Sequence, residues 1–179
     1  YPLVVDGWRT AGAEIVPFSP LADEGPAADA DAVYLPGGYP ELHAGLLAGN
    51  GRFLDGLRRA AARGAAVFGE CGGYMVMGEG LIDAEGRRHA MAGLLPLETS
   101  FAERRLYLGY RSAAVCADGP LGPAGARFRG HEFHYARTIR EGPGTPLFAC
   151  ADAAGRPIGT TGLAAGRILG SFIHIIDTA

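Results

Sequence analysis

The string Gly69-Glu70-Cys71-Gly72-Gly73 restricts what this chain can fold into more than any other. An apolar run, Ala65-Ala66-Val67-Phe68, leads into it, and Tyr74-Met75-Val76-Met77 leads out as a helix start. Strand, five-residue pinch and helix are the sequence form of a nucleophile elbow, with cysteine where serine is better known. A side chain on such a turn sits on strained backbone, and glycines two before and two after it let strand and helix pass closely. A thiol at a helix N-terminus is also expected to have a lowered pKa and a larger thiolate fraction. Cys71 is therefore the candidate nucleophile, the plain alternative being a buried structural cysteine. Cys116 and Cys150 lie in apolar runs without the glycine frame and read as core residues.

Length and charge narrow the classes. A chain of 179 residues fits one domain with a sizeable core. A net charge of −3 gives no reason to expect nucleic acid or an anionic membrane as partner. Three widely spaced cysteines make no disulfide framework and suit a reducing cytoplasm. No apolar run approaches the ~20 residues of a membrane span, and no signal peptide opens the chain. All sixteen basic residues are arginine, which excludes a P-loop lysine, a Schiff-base lysine and a lysine general base from these residues. The opening Tyr1-Pro2, without an initiator methionine, reads as part of a longer polypeptide.

The pattern along the first half predicts a helix over 3–11, a strand at Ala13–Phe18, a loop over 21–31 and a buried strand at Ala32–Leu35. Apolar residues at helical spacing predict a helix from Gly51 to Arg63, followed by the 65–68 strand and the elbow. Strand, helix, strand, helix argues for an α/β fold, a doubly wound, mostly parallel sheet flanked by helices. Ligands bind at the carboxyl ends of such strands, where Pro36-Gly37-Gly38 and Cys71 both fall. Because that fold usually opens with a strand, an upstream strand is expected outside these residues. In the less regular second half, strands are expected at 111–117, 131–137, 146–150, 157–161 and 167–176. No repeat or linker interrupts the chain, so residues 1–179 are read as one domain.

A thiol nucleophile needs a base within reach. His43 and His89 lie in polar surroundings and read as exposed. His131 and His134, three apart, point to opposite faces of a strand, and His131-Glu132-Phe133-His134 is not H-E-x-x-H, so no metal is expected. His174 lies in an apolar strand near the C-terminus, where composition alone reads it as a satisfied core histidine. Two glycines after a buried strand let the Gly37-Gly38-Tyr39 backbone turn an N–H toward a developing oxyanion, beside the N–H of Gly72. An ordinary tight turn has the same composition.

Pro-Gly-Gly, then Gly-x-Cys-x-Gly, then a histidine in a C-terminal strand resembles the class I (triad-type) glutamine amidotransferase domain, over nearly the whole chain. Leu35–Leu42, Gly69–Met75, Leu108–Arg111, Arg129–Tyr135 and Gly170–His174 are similar to the CobB/CobQ-type branch, in particular the C-terminal glutaminase domains of the corrin a,c-diamide synthases. The cobyric acid synthase type carries a serine-lysine version of the loop and fits less well. The resemblance implies a flavodoxin-like fold and glutamine hydrolysis. Cys71 would attack the side-chain amide, His174 would move the proton, and Gly37, Gly38, Tyr39 and Gly72 would hold the oxyanion and glutamine. Glu132, His134 and Tyr135 would line the site. It implies ammonia passing to an N-terminal synthetase domain that activates the a and c carboxylates of a corrin with MgATP, no cofactor being needed here. A homodimer stays open. Many class I members have His-x-Glu, whereas Ile176 stands two after His174 and Asp177 three after, so a Cys–His dyad is expected. The rival readings are another cysteine hydrolase or a chaperone-like member of the same superfamily, which carry His directly after the nucleophile, and a docking module without chemistry.

Overall fold

The computed structural model describes residues 2–178. Helix α1 (Pro2–Thr10) ends before Gly12, as the sequence predicts. Ala13–Phe18, expected as a strand, joins no sheet among the described residues. Proline at 17 and 20 removes the donors a ladder needs, and Phe18 instead lays its ring 6.3 Å from that of Phe53. Strand β1 (Ala32–Leu35) follows, then a 3-10 turn at Pro40–His43, α2 (Ala44–Gly49) and α3 (Gly51–Ala62). α3 forms because Phe53, Leu54, Leu57 and Ala60 recur on one face, and that face is buried. β2 (Ala66–Glu70) runs into Cys71 and α4 (Gly72–Met77).

Beyond residue 78 the regular elements among the described residues are strands: β3 (Gly80–Ile82), β4 (Arg88–Ala90), β5 (Leu97–Ser100), β6 (Tyr107–Val115), β7 (Arg127–His134), β8 (Arg137–Glu141), β9 (Thr145–Ala151), β10 (Pro157–Ala165), β11 (Ile168–Ser171) and β12 (Ile173–Thr178). The larger sheet has the order β1-β2-β11-β10-β9-β6-β7-β12, and a second has β4-β3-β5-β8. Within the larger sheet only β1–β2 and β2–β11 are parallel. The other pairings are antiparallel, so the mostly parallel sheet expected from the first half is corrected to a mixed, mostly antiparallel one. The cause is connection length. No crossover helix separates the later strands, and a turn such as the one closed by Asp152 between β9 and β10 can only reverse the chain.

β11 and β12 are two halves of one segment bent at Phe172. The first half pairs with β2 and β10, the second with β7, so the antiparallel strands wrap around a shared filling of Ala113, Val115, Leu147, Phe148, Cys150, Leu169 and Ile173. A second, larger core, which includes Cys71, packs the helices against β1, β2 and the small sheet. No helix among the described residues is long and apolar enough to cross a membrane.

Candidate functional site

Cys71 is held at φ 48°, ψ −103°, a conformation that costs a non-glycine residue about 1–3 kcal/mol and persists only when its surroundings enforce it. The enforcement is visible on both sides. The Cys71 amide donates to the Ser171 carbonyl at 2.8 Å, and Met75 N–H returns to the Cys71 carbonyl at 3.1 Å. A Cβ on Gly73 would lie 2.1 Å from the Leu35 carbonyl oxygen, and one on Gly69 would lie 2.5 Å from the Met77 sulfur. The glycine frame read from the sequence is thus a packing requirement. Gly72 meets the other loop: a Cβ there would lie 2.7 Å from the backbone N and O of Gly38. The 37–39 turn therefore abuts the residue after the nucleophile, and Tyr39 is exposed.

His174 enters from the far end of the sheet. It pairs with His131 across β7 and β12, and the two rings stack with centroids 4.6 Å apart and planes within 6°. The Cys71 Sγ points at the Phe133 carbonyl, 3.7 Å away, on the same strand as His131. Thiol and imidazole thus border one short stretch of β7. In register, Leu108 opposes Phe133 and Tyr110 opposes His131, so these share the face that carries His174.

Glu132 and His134 lie on the opposite face, as their spacing from His131 requires. Glu132 accepts from Arg111 Nε at 2.9 Å and pairs with His134 Nε2 at 3.1 Å. The His134 ring is stacked between Tyr107 (4.6 Å) and Phe172 (3.8 Å). Burial works against the Glu132 carboxylate, but the bonds from His134 and Arg111 hold its pKa below the usual value. The Glu132 carboxylate is shared between Arg111 and His134, and the two residues still act on the site through charge, His134 on His174 and Glu132 on Cys71. Tyr135 follows β7, half-exposed, its ring 5.8 Å from that of Phe133.

The electrostatics correct another expectation. Burial pushes the Cys71 thiol up to about 11, the Gly72 backbone N–H opposing it and Glu41, Glu70 and Glu132 adding to it. The short α4 does not outweigh desolvation. Burial also pushes His174 down to about 4, with His131 and His134 contributing. At neutral pH the pair is thiol and neutral imidazole. His89, read as exposed, is mostly buried, its Nε2 2.7 Å from the carboxylate of buried Asp83. Sequence alone gave no sign of that partner six residues away. A cavity of about 410 Å³ opens beside the 3-10 turn, lined by Glu41, His43, Asp83, Arg87 and Arg104 among others. It carries both signs of charge, a lining suited to a zwitterion. Arg104 was missed in the sequence because nothing in its spacing ties it to Glu41.

A model of the CobB/CobQ-like glutamine amidotransferase domain matches residues 5–178. The chain belongs to that family. Hydrogenobyrinate a,c-diamide synthase of a Sinorhizobium species is 57% identical over 100% of this chain and 41% of its own length. The synthases of the same name from Brucella anthropi (56% identical, 99% and 40% covered) and Rhodobacter capsulatus (57%, 98% and 40%) are similarly close. The chain spans about two fifths of the length of these curated relatives. A crystal structure of a glutamine amidotransferase superposes with a TM-score of 0.51 at 20% identity, covering 80% of this chain and 70% of that one, a likeness of fold.

Proposed function

We propose that this domain is the glutaminase part of an ATP-dependent corrin a,c-diamide synthase, hydrolysing glutamine through Cys71 and His174. The observation that carries the reading is the strained Cys71 backbone, held between the Gly38 loop and the strand face that bears His174. The Cys71 sulfur bonds to the side-chain carbonyl carbon of glutamine while its proton passes to His174, and the carbonyl electron pair becomes an oxyanion. The Gly72 N–H and the 37–39 turn would receive that charge. Collapse breaks the C–N bond, and the amine leaves as ammonia with the proton from His174. Water then cleaves the γ-glutamyl thioester, giving glutamate and restoring the thiol. Starting from thiol and neutral imidazole, proton transfer must accompany attack rather than precede it. Glu41 and Arg104 in the adjoining cavity would suit the α-amino and α-carboxylate groups of the substrate.

This chain offers MgATP no phosphate cradle, since it has no lysine and no P-loop string. Activation of the corrin carboxylates would belong to the remaining three fifths of a polypeptide like the relatives. An apolar strip supports such a partner: Leu106, Leu108, Tyr110, Phe133 and Tyr135 are 40–70% exposed around the β6–β7 pair, beside His131. Contiguous exposed apolar residues of this size mark an interaction site. The reading also places the chain in a reducing cytoplasm, where the free Cys71, Cys116 and Cys150 stay thiols.

Glutamine hydrolysis by the chain and by Cys71→Ala, with labelling by a glutamine-analogue diazo-ketone, tests it. The expected result is turnover and a label on Cys71, both lost in Cys71→Ala. No label and no turnover, with or without the ligase part, would leave a docking module and overturn the assignment.

A further inference from the structure

The two halves of the site lie on segments whose main chains part company. Ladder pairing between β2 and β11 ends at Glu70 and Ser171. Past the bend at Phe172 the chain pairs with β7 instead, so the strand of His174 has left the ladder that holds the strand of Cys71. The Glu70 side chain spans that gap. It is 2% exposed, and its two oxygens go to different elements. Oε1 accepts the amide N–H of Ile175 at 3.0 Å, and Oε2 accepts the Tyr34 hydroxyl of β1 at 2.6 Å. One carboxylate, covalently next to Cys71, therefore holds the amide of the residue covalently next to His174.

We propose that Glu70 is the positioning residue that sets the separation of Cys71 from His174, through its bond to the Ile175 amide. The inference rests on the Cys71–His174 reading above. Burial raises the pKa of the Glu70 carboxyl, while the bonds from Tyr34 and Ile175 work against that rise. A leucine or isoleucine of similar volume would fill the position without that desolvation, so packing alone does not account for a carboxylate here. An acceptor that reaches across to β12 does. Nucleophilic attack with concerted proton transfer is sensitive to placement: a shift of about 1 Å between reacting groups costs on the order of 10²-fold in rate.

Three substitutions separate reach from charge. Glu70→Gln keeps the oxygen that receives Ile175 N–H and loses the charge. Glu70→Asp keeps the charge and withdraws the oxygens by one methylene. Glu70→Leu keeps the volume and loses both bonds. The measurements are kcat and KM for glutamine hydrolysis, hydrogen exchange at the Ile175 amide, and alkylation of Cys71 by iodoacetamide at pH 8. Glu70→Gln is expected within about 5-fold of the unaltered kcat, and Glu70→Asp and Glu70→Leu about 30- to 100-fold down with KM nearly constant. Ile175 exchange should quicken only in the last two. Removing the negative charge beside the thiol should make alkylation faster in Glu70→Gln and Glu70→Leu, and a cooperative urea transition retained by each variant marks lost turnover as displacement and not unfolding. A Glu70→Asp variant that turns over as well as or better than Glu70→Gln would overturn the proposal, as would unchanged turnover in a folded Glu70→Leu. Should Glu70→Leu not fold, the Gln–Asp comparison still decides. An unaltered chain that takes no diazo-ketone label and hydrolyses no glutamine, with or without the ligase part, would instead sink the glutaminase reading. The clamp is then judged by Ile175 exchange alone, and equal protection in Glu70→Gln and Glu70→Asp overturns it.

Discussion

A thiol pushed up to about 11 and an imidazole pushed down to about 4 are an unusual start for thioester chemistry. Preformed thiolate–imidazolium pairs alkylate readily below pH 7, because their thiol pKa is depressed. Cys71 should behave oppositely. Its alkylation by iodoacetamide, followed by peptide mapping, should climb about tenfold per pH unit from 7 to 10 without a plateau. The kcat/KM for glutamine should instead be flat from about pH 5 to pH 8, since the competent form is thiol plus neutral imidazole. His174 loses its ability to accept a proton only as pH falls toward about 4, and the Cys71 thiol ionises only toward about 11. A limb near the ordinary histidine value of about 6.5 would show that His174 is not held neutral. The sequence made Cys71 legible because its turn has a fixed glycine grammar. It hid the thiol's electrostatics because burial is set by β7 and β12, far away in the chain. His174 was legible only through likeness to a family, since its neighbours Ile173 and Ile175 read as core.

Among the elements, the junction of β1, β2 and α4 has the least slack. The Gly73 position leaves no room beside the Leu35 carbonyl, and backbone there cannot rotate out of the way. Gly73→Ala is therefore expected to destabilise the fold by about 3 kcal/mol or more, although alanine favours helices elsewhere. Urea denaturation measures it, and a loss below about 1 kcal/mol would show that α4 can shift without harm. This junction was readable because 3.6 and continuous apolar periods mark α3, β1 and β2 plainly. The small sheet of β3, β4, β5 and β8 was not. Its strands are three to five residues long and carry charged pairs such as Arg88–Glu98, so the same stretch reads as loop. The antiparallel half was found strand by strand but not in its pairing, because alternation reveals a strand and says nothing of its neighbour.

For the whole molecule, the exposed strip on β6 and β7 is the feature that a lone chain leaves unexplained. Leu108, 65% exposed and opposite Phe133, sits where a ligase part would cover the face of His174. Leu108→Asp should leave glutamine hydrolysis by this chain within about twofold. In a polypeptide of full relative length it should cut glutamine-driven amidation at least about tenfold, the scale of one buried contact. Equal amidation would show that the strip is not the contact, and a concentration-dependent dimer of the unaltered chain would assign it to a second copy.

The bend at Phe172 has one more effect, in time rather than in space. The turn of Cys71 is complete by Met77, whereas the residue proposed as its proton acceptor follows only at position 174. A chain cut short before residue 168 would lack His174, both halves of the bent segment and the Ser171 carbonyl that receives the Cys71 amide. On the proposed function, such a shortened copy would carry the thiol without its base and would spend no glutamine.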